Sequence, residues 1–223
     1  MKQLVLLGDS HTRSFTYIDN VIPVFMGAGK SINLSTENID NLKKLMLRCK
    51  GMLGDDYMFV TLLGEPNIRY QLKNNWAVHT TDFKGDTDVN TEYLDECIEN
   101  YKNLFDELEF ISYIVTPTTA YTPSLNSMKY FNDKLKETFG DLVIDTFSTI
   151  IENLDDYTSS NYEYDPIHLN SKLSNVLISE LSKMNPKIKP SDYKALSEPF
   201  DCNDVRDLYT KSPFGTYTIE NKK

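Results

Sequence analysis

Five short runs of apolar residues constrain the fold of this chain more than any other feature. They are rich in β-branched, leucine, methionine and aromatic residues, and they lie at 3–7, 21–26, 57–63, 110–115 and 141–145. Continuous apolar runs of this length are typical of strands that are buried on both faces, as in a parallel sheet. The sequence therefore predicts a five-stranded parallel sheet.

Polar stretches with helical spacing separate these runs. Helices are predicted at 35–50, 91–109, 124–140 and 171–184. Strands that alternate with helices form right-handed β-α-β units, so we expect a three-layer α/β/α sandwich. A chain of 223 residues fits one domain. We expect this domain to span 1–184, followed by an extended arm at 185–223 that packs on the domain or joins a neighbouring copy in a homo-oligomer.

Composition and charge narrow the class of partner. The formal net charge is -10 and neither lysine nor arginine forms a run, so no nucleic acid partner is expected. The first apolar run is too short for a signal peptide, and no stretch approaches the roughly 20 apolar residues of a membrane span, which predicts a cytoplasmic protein away from membranes. The three cysteines lack zinc-like spacing, so they are expected to be reduced thiols and no metal is expected.

The segment LVLLGDSHTRS places Ser10 immediately after the first predicted strand. Ligands of parallel α/β sheets bind beyond the carboxyl ends of the strands, where such a turn lies. A serine hydroxyl there is exposed, and its backbone N–H can face an incoming carbonyl oxygen. The alternative interpretation is that Ser10 only caps a helix, because Gly, Asp and Ser are common in turns.

A serine nucleophile needs a base, usually a histidine that a carboxylate orients. The chain has three histidines. His168 lies three residues after Asp165, in a segment that precedes the last predicted helix. This spacing can place the carboxylate against one ring nitrogen while the other nitrogen points toward Ser10. Taken alone, His168 could equally be a solvated loop residue.

With G-D-S after the first strand and D-P-I-H before the last helix, the sequence resembles the SGNH hydrolase superfamily, also called GDSL esterases and lipases. The resemblance covers about residues 1–183. It implies a flavodoxin-like fold and a two-step ester hydrolysis through an acyl-serine, with no cofactor. It also implies that Ser10 is the nucleophile, His168 the general base and then acid, and Asp165 its orienting carboxylate.

The same resemblance implies an oxyanion hole built from the Ser10 N–H, a glycine N–H after the second strand and an asparagine side chain after the third. Spacing favours Gly29, with Gly27 as the alternate. The segment after the third strand, G-E-P-N at 64–67, is the third block of the family pattern. It departs from the pattern G-x-N-D, because Pro66 stands where asparagine is expected and Asn67 comes one residue later. Either the loop is reshaped so that Asn67 still enters the hole, or other donors serve.

Weaker candidates for substrate binding surround these residues. Glu65 and Arg69 flank the third block and either pair with each other or leave Arg69 to bind an anionic or hydroxyl-rich substrate. His11 is either a substrate contact or an exposed or locally bonded residue. The third-block variation G-E-P-N resembles carbohydrate acetylesterases, and an insertion at about 70–91 carries aromatic residues. Together they favour a small acyl ester, especially acetyl on a carbohydrate, as substrate.

Three other functions each fit part of the sequence. The segment GAGKS at 27–31 is similar to a phosphate-binding loop, but the full motif needs glycine where the chain has Val24, and it follows the second strand rather than the first. An acyltransferase would use the same acyl-serine with a sugar hydroxyl as acceptor. A non-catalytic carbohydrate-binding module would keep the fold without turnover.

Overall fold

A computed structural model describes residues 3–15, 18–25, 54–70, 89–108, 111–118, 125–151 and 172–194, together with 40, 43–44, 46–48 and 50–51. Its centre is a five-stranded sheet in the order β2-β1-β3-β4-β5, and every neighbouring pair is parallel. The strands are β1 (Gln3–Gly8), β2 (Val21–Phe25), β3 (Tyr57–Leu62), β4 (Ile111–Val115) and β5 (Val143–Ile144). The predicted five-stranded parallel sheet is confirmed.

Helical segments follow the strands. A 3-10 helix, Ser10–Phe15, comes after β1. The described helical residues between 40 and 51 lie in the helix predicted at 35–50, except for Gly51, which is one residue beyond it. The α-helices are α1 (Glu65–Tyr70), α2 (Thr91–Glu107), α3 (Leu125–Phe139), α4 (Thr146–Ile151) and α5 (Lys172–Met184). Three of them match predicted helices, whereas α1 and α4 were not predicted.

Alternate residues of the central strands face opposite sides of the sheet and divide the core in two. Val5 and Leu7 of β1 belong to a buried cluster that includes residues of α1, α2 and α3. Leu4 and Leu6 face the other way, into a cluster that includes residues of the 3-10 helix Ser10–Phe15, α4 and α5. Because both faces of the sheet are covered, the strands read as continuous apolar runs in the sequence. The predicted three-layer α/β/α sandwich is confirmed.

The strand order brings the segments that follow β1 and β3 together at one edge of the sheet. In a sheet of order 2-1-3-4-5 the direction of winding reverses between β1 and β3, and ligands of this fold bind beyond the carboxyl ends of these strands. Here Gly8 at the end of β1 pairs with Leu62 at the end of β3. The turn that carries Ser10 therefore lies beside the start of α1, which carries Glu65 and Asn67.

The described part of the predicted arm, up to residue 194, packs on the domain. Ile188 and Tyr193 are buried in the same cluster as α5. The Asn20 side chain donates a hydrogen bond to the carbonyl of Asp192 at 2.7 Å. Residues 195–223 lie outside the described part of the chain. None of the helices in the described part is both long and apolar enough to cross a membrane.

Candidate functional site

The end of β1 is held very close to β3, and this closeness explains the glycine of the G-D-S segment. A Cβ atom on Gly8 would lie 2.1 Å from the carbonyl oxygen of Leu62 and 2.6 Å from Cγ2 of Thr12. Real Cβ atoms do not approach backbone so closely, so a side chain at Gly8 would push the strand end or the following turn away. Gly8 thus sets the position of the turn that carries Ser10.

The turn itself is organised by the buried Asp9. Its Oδ1 accepts a hydrogen bond from the backbone N–H of His11 at 2.9 Å, and its carbonyl accepts one from the Thr12 hydroxyl at 2.8 Å. Asp9, His11 and Thr12 are buried, whereas Ser10 is half-buried. The turn therefore fixes its polar neighbours inside the protein and leaves Ser10 partly open to solvent at the carboxyl edge of the sheet.

His11 faces carboxylates from two different elements. Its ring Nδ1 lies 3.1 Å from Oδ1 of Asp9 and 4.0 Å from Oε2 of Glu65, and all three side chains are 1% exposed. An imidazole that carries its proton on Nδ1 would donate it to the Asp9 carboxylate in this contact. His11 is locally bonded and not exposed, and its role as a substrate contact stays untested.

The third block forms the first turn of α1 rather than an open loop. Gly64 precedes it with a φ of 121°, and a Cβ there would lie 2.8 Å from Cε1 of Phe131. Glu65 opens the helix and Pro66 follows in its first turn, where the missing N–H of proline costs no helical hydrogen bond. The departure from the family pattern is thus the start of a short helix.

Asn67 points from α1 toward α2. Its side chain is fully buried, and its Nδ2 lies 3.2 Å from Sγ of Cys97 and 3.4 Å from Oη of Tyr93. The pKa of Tyr93 is raised, mainly because burial disfavours the phenolate and also because Cys97 is close. Tyr93 therefore remains a neutral phenol beside Asn67.

Another tyrosine of α2, Tyr101, is fully buried, whereas Tyr93 is partly buried. Tyr101 of α2 donates a hydrogen bond from its hydroxyl to Oγ1 of Thr61 at 2.8 Å. Its pKa is raised, first by burial and then by the negative charge of Asp9. Tyr101 therefore stays neutral and supports the end of β3 from the face of the sheet that α2 covers, close to the Asp9 carboxylate.

Polar side chains at the ends of β4 and β5 cap the start of helix α4. Oγ1 of Thr116 accepts a hydrogen bond from the backbone N–H of Phe147 at 3.0 Å, and Oδ1 of Asp145 accepts one from Ser148 N–H at 2.9 Å. These two acceptors satisfy N–H groups in the first turn of α4. Thr146 donates from its hydroxyl to the carbonyl of Thr116 at 3.1 Å, so this cluster has a structural explanation.

Several residues predicted for the site lie outside the described part of the chain. They are Gly27, Gly29, Asp165 and His168. Arg69 belongs to α1, but its side chain is likewise outside what the structure describes. The structure thus brings Ser10, Glu65 and Asn67 to the same edge of the sheet, and the roles of the other predicted residues stay predictions. In the described ranges, no group of three or more His, Cys, Asp or Glu side chains is placed to hold a metal ion.

Solved structures are similar to this chain, among them the following two. A member of the lipolytic protein G-D-S-L family from Veillonella parvula aligns with a TM-score of 0.52 and 15% identity, over 84% of this chain and 100% of that one. LAE5, an α/β hydrolase enzyme from the metagenome of Lake Arreo, Spain, aligns with a TM-score of 0.51 and 14% identity, over 84% of this chain and 96% of that one. No protein-family model and no curated protein matches the sequence. At this identity the likeness shows the fold, which is that of SGNH/GDSL-type hydrolases.

Proposed function

We propose that this chain, which has the fold of SGNH/GDSL-type hydrolases, is a serine esterase that removes a small acyl group, especially acetyl, from a carbohydrate. The observation that carries the proposal is the placement of Ser10. It is half-buried at the carboxyl edge of the sheet, at the β1/β3 reversal where this fold binds ligands, and its buried neighbours hold the turn in place.

In the proposed mechanism, Oγ of Ser10 attacks the carbonyl carbon of the ester while His168 takes the hydroxyl proton. The tetrahedral intermediate collapses, the C–O bond to the sugar breaks, and His168 gives its proton to the leaving alcohol. Water then attacks the acyl-serine with His168 again as base, which releases the acid and restores Ser10. Asp165 holds His168 in the tautomer that accepts the serine proton.

The position of α5 supports His168 in this role. The 3-10 helix that begins at Ser10 packs against α5, and Phe15 shares a buried cluster with Leu173 in the first turn of α5. His168 precedes Lys172 by four residues, which span at most about 14 Å of extended chain. This short connection to a helix that packs on the nucleophile's turn supports His168 as the base that we propose for Ser10.

For the oxyanion hole we propose the N–H groups of Ser10 and Gly29 and the side chain of Asn67. To serve as a donor there, the fully buried amide of Asn67 has to turn from Cys97 and Tyr93 of α2 toward Ser10. Of its two contacts, the one to Tyr93 at 3.4 Å is the longer, so we expect this contact to yield when an oxyanion forms. Gly27 is the alternate to Gly29.

The weaker proposed substrate contacts are Gly27, Glu65 and Arg69. Of these, Glu65 acts indirectly, because its carboxylate is buried and faces His11. A guanidinium such as that of Arg69 recognises carboxylates or sugar hydroxyls through a planar fork of donors. We therefore propose Arg69 as the group that contacts the carbohydrate directly.

The proposal is tested by turnover of p-nitrophenyl acetate and by release of acetate from acetylated sugars. Ser10→Ala and His168→Ala should each lower kcat by about 10³-fold or more, as loss of a triad member does elsewhere. Ser182→Ala is the matched control, because this serine lies on the outer part of α5 and donates only to the carbonyl of Ser179 among its contacts in the described chain.

The substrates distinguish the alternative functions. Transfer of the acetyl group to an added sugar in preference to water would indicate an acyltransferase. Binding of a sugar without turnover of any ester would indicate a carbohydrate-binding module and would contradict the proposed activity. Equal rates on p-nitrophenyl acetate and octanoate, with no acetate released from acetylated sugars, would contradict the small-acyl substrate.

A further inference from the structure

The cluster of Asp9, His11 and Glu65 is unusual because three ionisable side chains are enclosed together. Each is 1% exposed, and the same ring nitrogen of His11, Nδ1, faces both carboxylates, 3.1 Å from Oδ1 of Asp9 and 4.0 Å from Oε2 of Glu65. Burying such groups is costly unless each finds partners, and removing one partner from a buried set is strongly destabilising. A chain that needed only a turn after β1 could place apolar residues at these positions.

The cluster also joins the two elements that carry the proposed oxyanion donors. Asp9 and His11 flank Ser10 in the turn after β1. Glu65 opens α1, the helix in which Asn67 follows two residues later. The contact between His11 and Glu65 therefore spans the gap between the nucleophile's turn and the third block, beyond the paired ends of β1 and β3.

We propose that His11 is a positioning residue, which fixes the distance between the Ser10 N–H and the Asn67 amide by linking Asp9 to Glu65. This inference rests on the proposed esterase function. His11 does not touch the substrate in this scheme. It acts through the two carboxylates, and its effect falls on the transition state, because the oxyanion meets both donors only after Ser10 has attacked.

A positioning role predicts a particular kinetic signature. Loss of the link should lower kcat on p-nitrophenyl acetate about 10- to 100-fold and leave KM within about threefold, because an interaction made in the transition state is lost while ground-state binding is kept. His11→Asn should recover most of kcat, because the asparagine amide places an N–H donor close to the position of Nδ1. His11→Phe fills the space without a donor and should not recover it.

The experiment measures kcat, KM and the melting temperature of the wild type and of His11→Ala, His11→Asn, His11→Phe and Glu65→Gln. Leu135→Ala is the control for lost stability, because Leu135 is fully buried on α3 and has no part in the proposed site. If His11→Ala does not fold, His11→Asn and Glu65→Gln still test the link. Glu65→Gln removes the charge that faces Nδ1 of His11 at 4.0 Å and keeps the size of the side chain.

The expected result is a fall in kcat for His11→Ala and His11→Phe, with rescue in His11→Asn and wild-type kcat in Leu135→Ala. The inference is overturned if folded His11→Phe has wild-type kcat, if only KM changes, or if Leu135→Ala shows the same loss. In those cases the esterase proposal stands, because the wild type still turns over. A wild type that hydrolyses no ester overturns the proposed function and this inference with it.

Discussion

The close approach of Gly8 to β3 predicts how much stability the protein should lose in Gly8→Ala. In Gly8→Ala the new methyl group would overlap the carbonyl oxygen of Leu62, at 2.1 Å where ordinary contact begins near 3.4 Å. The oxygen is backbone, paired in register with Gly8, so neither strand can move aside without disturbing the ladder. Overpacking of this kind costs about 1–3 kcal/mol.

A second loss adds to the first. The backbone N–H of Asp9 donates to the same Leu62 carbonyl at 3.2 Å, and displacing the strand end weakens this hydrogen bond by about 1 kcal/mol. Gly8→Ala should therefore lower the free energy of unfolding by about 2–4 kcal/mol. For a chain of this size that corresponds to a fall in melting temperature of roughly 4–16 °C.

Thermal unfolding followed by circular dichroism measures this effect, with Gly51→Ala as the control. A Cβ on Gly51 has no atom within 4 Å, and the residue is helical and exposed, so alanine should leave stability unchanged or raise it by up to about 1 kcal/mol. If Gly8→Ala melts at the same temperature as the wild type, the close approach of β1 and β3 and the turn geometry derived from it are wrong.

Three further predictions concern the helix start at β5, the third block and the chain after α5. Burial alone would raise the pKa of Asp145, but hydrogen bonds from Lys136 and from Ser148 outweigh it and lower that pKa. At pH 7, Asp145→Asn should therefore lower the free energy of urea unfolding by about 0.5–1 kcal/mol. This difference should be present above the ordinary aspartate pKa of about 3.9 and be lost as pH falls through the lowered pKa of Asp145. A difference that does not change with pH would contradict this. Asn67→Ala should lower kcat on p-nitrophenyl acetate about 10²-fold with little change in KM, and a folded variant with wild-type kcat would remove Asn67 from the hole. Ile188→Ala should lower the free energy of urea unfolding by about 2–4 kcal/mol, because the Ile188 side chain is buried in the cluster that includes α5. A loss below about 0.5 kcal/mol would show that the chain after α5 does not pack on this cluster.

The sheet could be predicted because burial on both faces leaves a strong mark in the sequence. Four strands begin and end within one residue of their predicted limits. The fifth is shorter, because Gly140–Leu142 forms a 3-10 turn and only Val143–Ile144 pair with β4. Asp141 and Leu142, which the apolar run at 141–145 included, are exposed.

The short helices could not be predicted, because six residues give too little periodicity. The helix α1 begins with Glu65 and Pro66, a pair that favours a first turn, and this was the available signal. The helix α4 has the composition T-F-S-T-I-I, which continues the β-branched character of the strand before it. It is the capping by Asp145 and by Thr116 from the neighbouring strand that starts it.

The candidate site was predictable in its position and less so in its contacts. The placement of Ser10 directly after β1 follows from a local motif, and it lies where predicted. The burial of His11 depends on Glu65, which is distant in sequence and comes near only because β1 pairs with β3. A single sequence holds no local pattern for such a pair, so this cluster emerged only from the structure.

The identity of the nucleophile is the central claim, and covalent labelling with a fluorophosphonate tests it most directly. The probe reacts with an activated serine, and digestion followed by mass spectrometry locates the adduct. We expect one adduct on the peptide that carries Ser10, no labelling of Ser10→Ala, and a greatly slowed reaction in His168→Ala. Folded wild-type protein that is not labelled, or that is labelled at another serine, would contradict the account.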